Sequence, residues 1–378
     1  MAKTKIEWAS DVWNPIRGCS RVSEGCRHCY AERMAARFSQ PGMWGEGLAV
    51  IKNGVAHWTG KITFDKDKLL EPLHWKRPRR VFVNSISDLF HENVEDGWVD
   101  KIFSIMALSW RHQFLILTKR PERMRDYMKR MHNDPGEFIA SALLDMHIDD
   151  DYSCHVANYI NGWSRWREMP EDGNPLNGAV RRWPLPNVWL GTSVEDQKTA
   201  DLRIPFLLQT PAAIRFISAE PLLGSVDLTT IPNAPGLAEG QHYLNALKGY
   251  AWETHGADYY DVCNIDGRLH WVIVGGESGP GARPMNPDWA RLLRNQCLAA
   301  NVPYFFKQWG EYGPCENGEV TPNPEDWDNQ PHAHTFPDET RPRSGWETVY
   351  RVGKKSTGHI LDSKVWQQYP EVVHESHL

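Results

Sequence analysis

Trp13-Asn14-Pro15-Ile16-Arg17-Gly18-Cys19-Ser20-Arg21-Val22-Ser23-Glu24-Gly25-Cys26-Arg27-His28-Cys29-Tyr30 is the stretch on which the reading of this chain turns. Asn before Pro is pushed out of the helical region, so Trp13-Asn14-Pro15 starts as extended chain. Gly18 and Gly25 permit a tight loop. The residues from Ala31 to Phe38 then read as a helix, which makes the order strand, cysteine loop, helix. Cys19, Cys26 and Cys29 have the spacing C-x6-C-x2-C. Three thiolates from one loop can hold a metal centre but cannot close it, because structural zinc and most iron–sulfur clusters take four protein ligands. On a cubane cluster they would leave one iron open. Two plainer readings stand beside this one: a zinc knuckle completed by His74 or His91, and a chance grouping of thiols.

Outward from that loop, short apolar runs alternate with helical segments. The runs are Val81-Phe82-Val83, Phe114-Leu115-Ile116-Leu117, Val188-Trp189-Leu190, Ile214-Arg215-Phe216-Ile217, Trp271-Val272-Ile273-Val274 and Pro303-Tyr304-Phe305-Phe306. They suit parallel strands covered on both faces. Trp98 to Leu108, Pro121 to Met131 and Pro287 to about Ala300 read as helices, the last with Asn286 as N-cap. The fold expected is α/β, a parallel (β/α) partial or full TIM-like barrel of about seven strands. A doubly wound sheet is the alternative. Gly275-Gly276-Glu277-Ser278-Gly279 does not fit the dinucleotide fingerprint. Residues 1–310 are expected to form the barrel, interrupted by insertions 132–186 and 228–269, with 311–378 as a C-terminal extension. The first insertion could fold as a helical lid.

Composition narrows the function classes. The 378 residues carry a net charge of −6, which argues against a wholly electrostatic nucleic-acid binder. No apolar run reaches the length of a membrane span, and the N-terminus lacks a signal-peptide stretch, which points to the cytoplasm and away from membranes. In a reducing compartment seven cysteines, only three of them clustered, favour metal ligation over disulfides. Cys154, Cys263, Cys297 and Cys315 read as incidental thiols. The 18 Trp read mainly as core and loop braces. His74-Trp75-Lys76-Arg77-Pro78-Arg79-Arg80 is the most basic run; it precedes a strand and reads as solvated or structural. Gly353-Lys354-Lys355-Ser356-Thr357 lacks the first glycine of a P-loop.

Each strand ends in polar residues: Asn84-Ser85-Ile86-Ser87-Asp88, Thr118-Lys119-Arg120, Thr192-Ser193-Val194-Glu195, Ser218-Ala219-Glu220, Glu277-Ser278 and Lys307-Gln308-Trp309. Active sites of parallel barrels lie at this rim. Glu220 and Glu277 follow strongly apolar strands and are candidate catalytic carboxylates, with Lys307 beside the substrate. The plainer expectation is an ion pair with Arg215, Arg283 or Lys307. For Ser193 and Asp88 it is helix capping.

The cysteine spacing resembles a widened form of the radical S-adenosylmethionine (SAM) motif, usually C-x3-C-x2-C. The stretch from Trp13 to Glu32, together with the strand-end runs above, Ser218-Ala219-Glu220-Pro221-Leu222-Leu223 and Gly275-Gly276-Glu277-Ser278-Gly279, also resembles a phage and prophage family of uncharacterised three-Cys proteins. The resemblance implies a [4Fe–4S] cluster on Cys19, Cys26 and Cys29, with SAM on the open iron. It implies cleavage to a 5′-deoxyadenosyl radical and hydrogen abstraction from a shielded substrate. By the strand order of such barrels, Ser85, Ser87 and Asp88 would take the SAM amine, Lys119 its carboxylate, and Ser193 and Glu195 its ribose. An electron donor such as a flavodoxin or ferredoxin is implied, and a nucleic acid or modified-base precursor is the leading substrate. The long first spacing, and His28 where an aromatic ring often precedes the last cysteine, depart from the usual pattern. The rival expectation is a non-catalytic zinc or iron–sulfur module that recognises nucleic acid or a protein partner.

Overall fold

The computed structural model describes residues 4, 6–133, 135–147, 183–232, 242–255, 258–265, 267–314, 333–338, 340, 342 and 346–371. Its central element is a seven-stranded parallel sheet. The strands are β1 (Asp11–Trp13), β2 (Arg80–Val83), β3 (Gln113–Thr118), β4 (Val188–Ser193), β5 (Ile214–Ala219), β6 (Trp271–Gly275) and β7 (Tyr304–Gln308). They lie side by side in chain order. A succession of right-handed βα units yields this order. A closed ring would pair β1 with β7; among the described residues these two are the edge strands, so the sheet is open, in keeping with a partial barrel. Every residue of β4 and β6 is buried, as in strands covered on both faces.

The chain divides into two compact units, interleaved in sequence. The first comprises Met1–Ser23, Cys29–Gly191 and Thr210–Ile214. Here Val12 pairs with Phe82, and Val81 with Phe114, in parallel register. The helices are α1 (Tyr30–Arg37), α2 (Asp96–Leu108), α3 (Pro121–Asn133) and α4 (Pro135–Asp145). α2 buries Val99, Ile102, Phe103 and Met106, the helical spacing of a core face. A hairpin, Ala49–Lys52 with Val55–Trp58, was not expected. Its turn is Asn53-Gly54 with φ of 51° and 75°, the two positive values a type I′ turn requires.

The second unit comprises Glu24–His28, Thr192–Gln209 and Arg215–Leu378. Helix α5 (Gln197–Leu208) starts with a capping box between Asp196 and Thr199. Helix α6 (Pro287–Ala299) has the expected Asn286 cap, whose side chain accepts from the Asp288 N–H, and Pro287 at its first position. Between β5 and β6 the chain forms a four-stranded antiparallel sheet instead of a helix: Ile231–Pro232, His242–Asn245, Tyr250–His255 and Asp258–Asn264. Past β7, Tyr312–Pro314, Ala333–Phe336 and Glu347–Arg351 form a three-stranded sheet. The chain then returns along β7. The Phe306 N–H donates to Trp366 O at 2.7 Å, and Trp271 Nε1 to Gln368 O at 2.8 Å. That return covers an edge strand which would otherwise offer unpaired backbone groups.

Within the expected insertion 132–186, α4 is helical, whereas Asp149-Asp150-Asp151 and Pro170 to Pro175 lie outside the described residues, as do Cys154 and Cys315. No helix among the described residues is long and apolar enough to cross a membrane.

His270, just before β6, makes stability depend on pH. Its Nδ1 accepts from the Arg215 backbone N–H at 3.0 Å. Burial, followed by the charges of Arg215 and Arg268, lowers the imidazole from 6.5 to about 4. The unfolded chain binds this proton near pH 6.5 and the folded chain only near 4. The full contribution is therefore present above the unfolded value and is lost as pH falls toward 4. Urea midpoints are expected to drop between neutral and mildly acid pH, and His270→Asn, which keeps an acceptor there, to flatten that drop. An unaltered profile in the variant would reject the assignment.

Candidate functional site

The cysteine segment leaves the C-terminal end of β1 and stays beside the loop after β2. Gly18 forms a parallel bridge with Ser87. Its φ is 95°, and a Cβ there would stand 2.1 Å from Lys61 O, so only glycine fits. Cys19 follows. Burial, then the negative charge of Asp88, with a smaller contribution from Cys29, pushes its thiol up to about 12 against the opposing Arg120. Ser20 is held tightly: Arg120 Nη2 donates to its Oγ at 2.7 Å, and His91 Nε2 lies 2.9 Å from the same atom. Arg120 also bonds Asp88 at 3.1 Å and Glu92 at 2.6 Å. Burial would raise the Glu92 carboxyl, but the Arg120 hydrogen bond and charge, with bonds from its own backbone and Ser20, bring it to about 2. On the far side of Ser20, Arg21 forks onto buried Glu32 of α1 at 2.6–3.0 Å.

The loop residues expected to bind SAM have structural partners here. Asp88 accepts from Phe90 N, Thr118 Oγ1, Lys119 N and Arg120 Nη1 at 2.7–3.1 Å, which takes up about four lone-pair sites. Ser85 Oγ donates to Asn14 Oδ1 at 3.1 Å and Ser87 Oγ to Ile16 O at 2.8 Å. Lys119 contributes its backbone N–H, and the neighbouring Arg120 supplies the cation that meets Asp88. Asn84, one residue past β2, sits at φ 59°. Its Oδ1 accepts from the Ile16 N–H at 3.3 Å, while its buried Nδ2 has no acceptor in the protein.

Cys26 belongs to the second unit. Its neighbour Gly25 packs so closely on Glu195 that a Cβ would stand 2.5 Å from Oε1. Glu195, 1% exposed, is paired at 2.9 Å with Arg203 Nη1, which also donates to Ser193 O. His28 Nδ1 lies 3.2 Å from Glu277 Oε2, close enough for an ion pair but without hydrogen-bond alignment. Glu277 accepts from Arg283 N, Nε and Nη2 at 2.8–2.9 Å. Burial would raise this carboxyl; the Arg283 bonds, aided by His28, lower it. Glu220 and Glu277 follow β5 and β6, which are direct neighbours. Glu220 is held by Lys307 Nζ at 2.7 and 2.9 Å. Both carboxylates therefore carry the ion pairs that were their plainer expectation.

Cys19, Cys29, Ser85, Ser87, Asp88 and Lys119 thus fall in one unit, and Cys26, Ser193, Glu195, Glu220, Glu277 and Lys307 in the other. Among the described residues, no group of three or more His, Cys, Asp or Glu side chains is arranged to hold a metal ion. The donor chemistry nevertheless suits a cluster: three thiols on one segment, a cationic Arg120 beside Cys19, and an orphan Asn84 amide at the same strand-end rim as Cys19. Arg120, Arg203 and Glu32 were missed as organisers, whereas Arg283 is one of the ion-pair partners expected for the two carboxylates. Adjacent Lys119 and Arg120 look alike in sequence, and only the backbone direction separates them.

No curated protein and no solved structure matches this chain. A family model does, over residues 3–370, nearly the whole length. The chain belongs to that family, described as "Protein of unknown function (DUF5131)".

Proposed function

We propose that the protein is a radical SAM enzyme whose Cys19, Cys26 and Cys29 hold a [4Fe–4S] cluster, on a core that is a partial barrel of the radical SAM type. The observation that carries this reading is the three-thiol segment between the first strand of a sequential parallel sheet and the first helix. Bound on those three thiolates, such a cluster would supply the electron for reductive cleavage of SAM, giving methionine and a 5′-deoxyadenosyl group able to take hydrogen from a substrate. The chain's own residues orient and shield. Arg120, itself held by Asp88, fixes Ser20 and through it the backbone of Cys19. Glu32 fixes Arg21. Asn84 Nδ2 offers a buried donor, and Lys119 a cation, for the SAM carboxylate; Ser85 and Ser87 lie beside them for the amine. Ser193 and Glu195 would serve the ribose, the latter oriented by Arg203. Glu220, Glu277 and Lys307 would border the substrate, for which a nucleic acid or modified-base precursor remains the leading class. A flavodoxin- or ferredoxin-type donor would deliver the electron, and a cytoplasmic setting suits that chemistry.

Anaerobic reconstitution should give a brown protein with about four irons per chain. After reduction it should release 5′-deoxyadenosine and methionine from SAM, slowly without substrate. S-adenosylhomocysteine as the sole product would mean ordinary methyl transfer. A colourless protein with one zinc would favour the binding module.

A further inference from the structure

The basic run before β2 takes no part in the site above. We propose that the rim formed by the starts of β1, β2 and β3 binds the phosphate backbone of a nucleic acid. This is the end of the sheet opposite to the one from which the segment bearing Cys19 departs, and the proposal does not depend on the cluster. A depression of about 500 Å³ lies here, with Ser10, Arg79, Arg80, Arg111 and Gln113 on its walls. The backbone sets the arginines in place: the Ser10 N–H donates to Arg80 O at 2.8 Å, and the Gln113 N–H to Arg79 O at 2.8 Å. Side chains hold them further. Arg80 Nε donates to Gln113 Oε1 at 2.8 Å, Arg79 stacks over Trp75 at 4.7 Å, and Arg111 lies over Trp110 at 5.4 Å. Lys76, Arg77 and Arg111 are exposed.

Among the described residues, Glu7 lies on the wall and Asp11 bonds Arg79 at 2.6 Å. A local excess of cations in a chain of net charge −6 is not a device for solubility. It selects an anion. Of the five cations Lys76, Arg77, Arg79, Arg80 and Arg111, four are planar guanidinium groups, the geometry that suits phosphate oxygens. Arg80 opens β2, Lys76, Arg77 and Arg79 lie in the run before it and Arg111 two residues before β3, a spread of charge that matches repeated phosphates better than a single ion. An acidic peptide would also want apolar anchorage, yet Trp8 and Trp75 are 2% and 6% exposed.

The test is fluorescence anisotropy on the full-length protein. The probes are a labelled single strand of about 20 nucleotides, the matching duplex, and polyglutamate, titrated between about 50 and 200 mM salt. Nucleic acid should bind with a steep salt dependence. Lys76→Glu/Arg77→Glu/Arg111→Glu should weaken binding at least about tenfold and lower the log–log salt slope by about two, since each phosphate contact contributes about 0.7–0.9. Lys129→Glu/Lys198→Glu/Lys355→Glu has the same net charge and alters exposed residues elsewhere; it should bind like the parent. All six positions are exposed, so both variants should keep the parent's circular dichroism. Equal loss in both variants would overturn the proposal. So would no binding of either nucleic acid at low salt, or tighter binding of polyglutamate than of the labelled strand.

Discussion

Single replacement of Cys19, Cys26 or Cys29 by Ala is expected to abolish iron binding and SAM cleavage together. Two thiolates cannot anchor a cubane against exchange with solvent thiols, and no other cysteine shares the segment. Single replacement of Cys154, Cys263, Cys297 or Cys315 should leave the iron content unaltered. Cys297 in α6 is fully buried, and burial alone pushes its thiol up, the behaviour of a packing residue. Iron and sulfide analysis of the seven variants, with the visible spectrum of each, decides the matter. Full iron retention in Cys26→Ala would remove the basis of the radical SAM reading, whereas uptake of one zinc in its place would move the chain to the binding-module class.

The largest loss of stability from one substitution is expected at Arg203. Its guanidinium and the Glu195 carboxylate are 4% and 1% exposed, and Arg203 also satisfies Ser193 O. Removing one partner of a buried pair leaves the other charge desolvated and uncompensated, at a cost of about 3–5 kcal/mol. That is a large share of the roughly 5–15 kcal/mol that separates folded from unfolded domains. Arg203→Ala should therefore shift the urea midpoint strongly at neutral pH, read by tryptophan fluorescence. Arg203→Met combined with Glu195→Gln should recover much of the loss, because no bare charge then remains. A loss under about 1 kcal/mol in Arg203→Ala would show that water reaches Glu195.

The sheet was legible because most of its strands are short apolar runs flanked by polar punctuation, and the α6 cap was legible because Asn286-Pro287 is a local signal. The antiparallel sheet between β5 and β6 was not. Its strands, such as His242–Asn245, are mixed in polarity and give no clean alternation to read, although each pairs with its neighbour in sequence. The hairpin at Asn53-Gly54 carried a readable turn signal that went unused. At the rim, residue types were readable but partners were not. Asp88 reads as a ligand for an amine, but its partners Thr118, Lys119 and Arg120 arrive from a different strand and are not legible in its own segment. Glu277, by contrast, meets Arg283 six residues on, one of the partners its plainer reading named.

The interleaving of the two units bears on how the gene can be dissected. A stop after Gly191 would delete Thr210–Ile214 from the first unit and leave Glu24–His28 as a fragment of a missing second one. No single cut yields either unit as one uninterrupted polypeptide. Half-length expression, modular exchange and deletion mapping thus remove parts of both units at once. Point substitutions and short internal excisions are the tools by which the contribution of each unit can be separated.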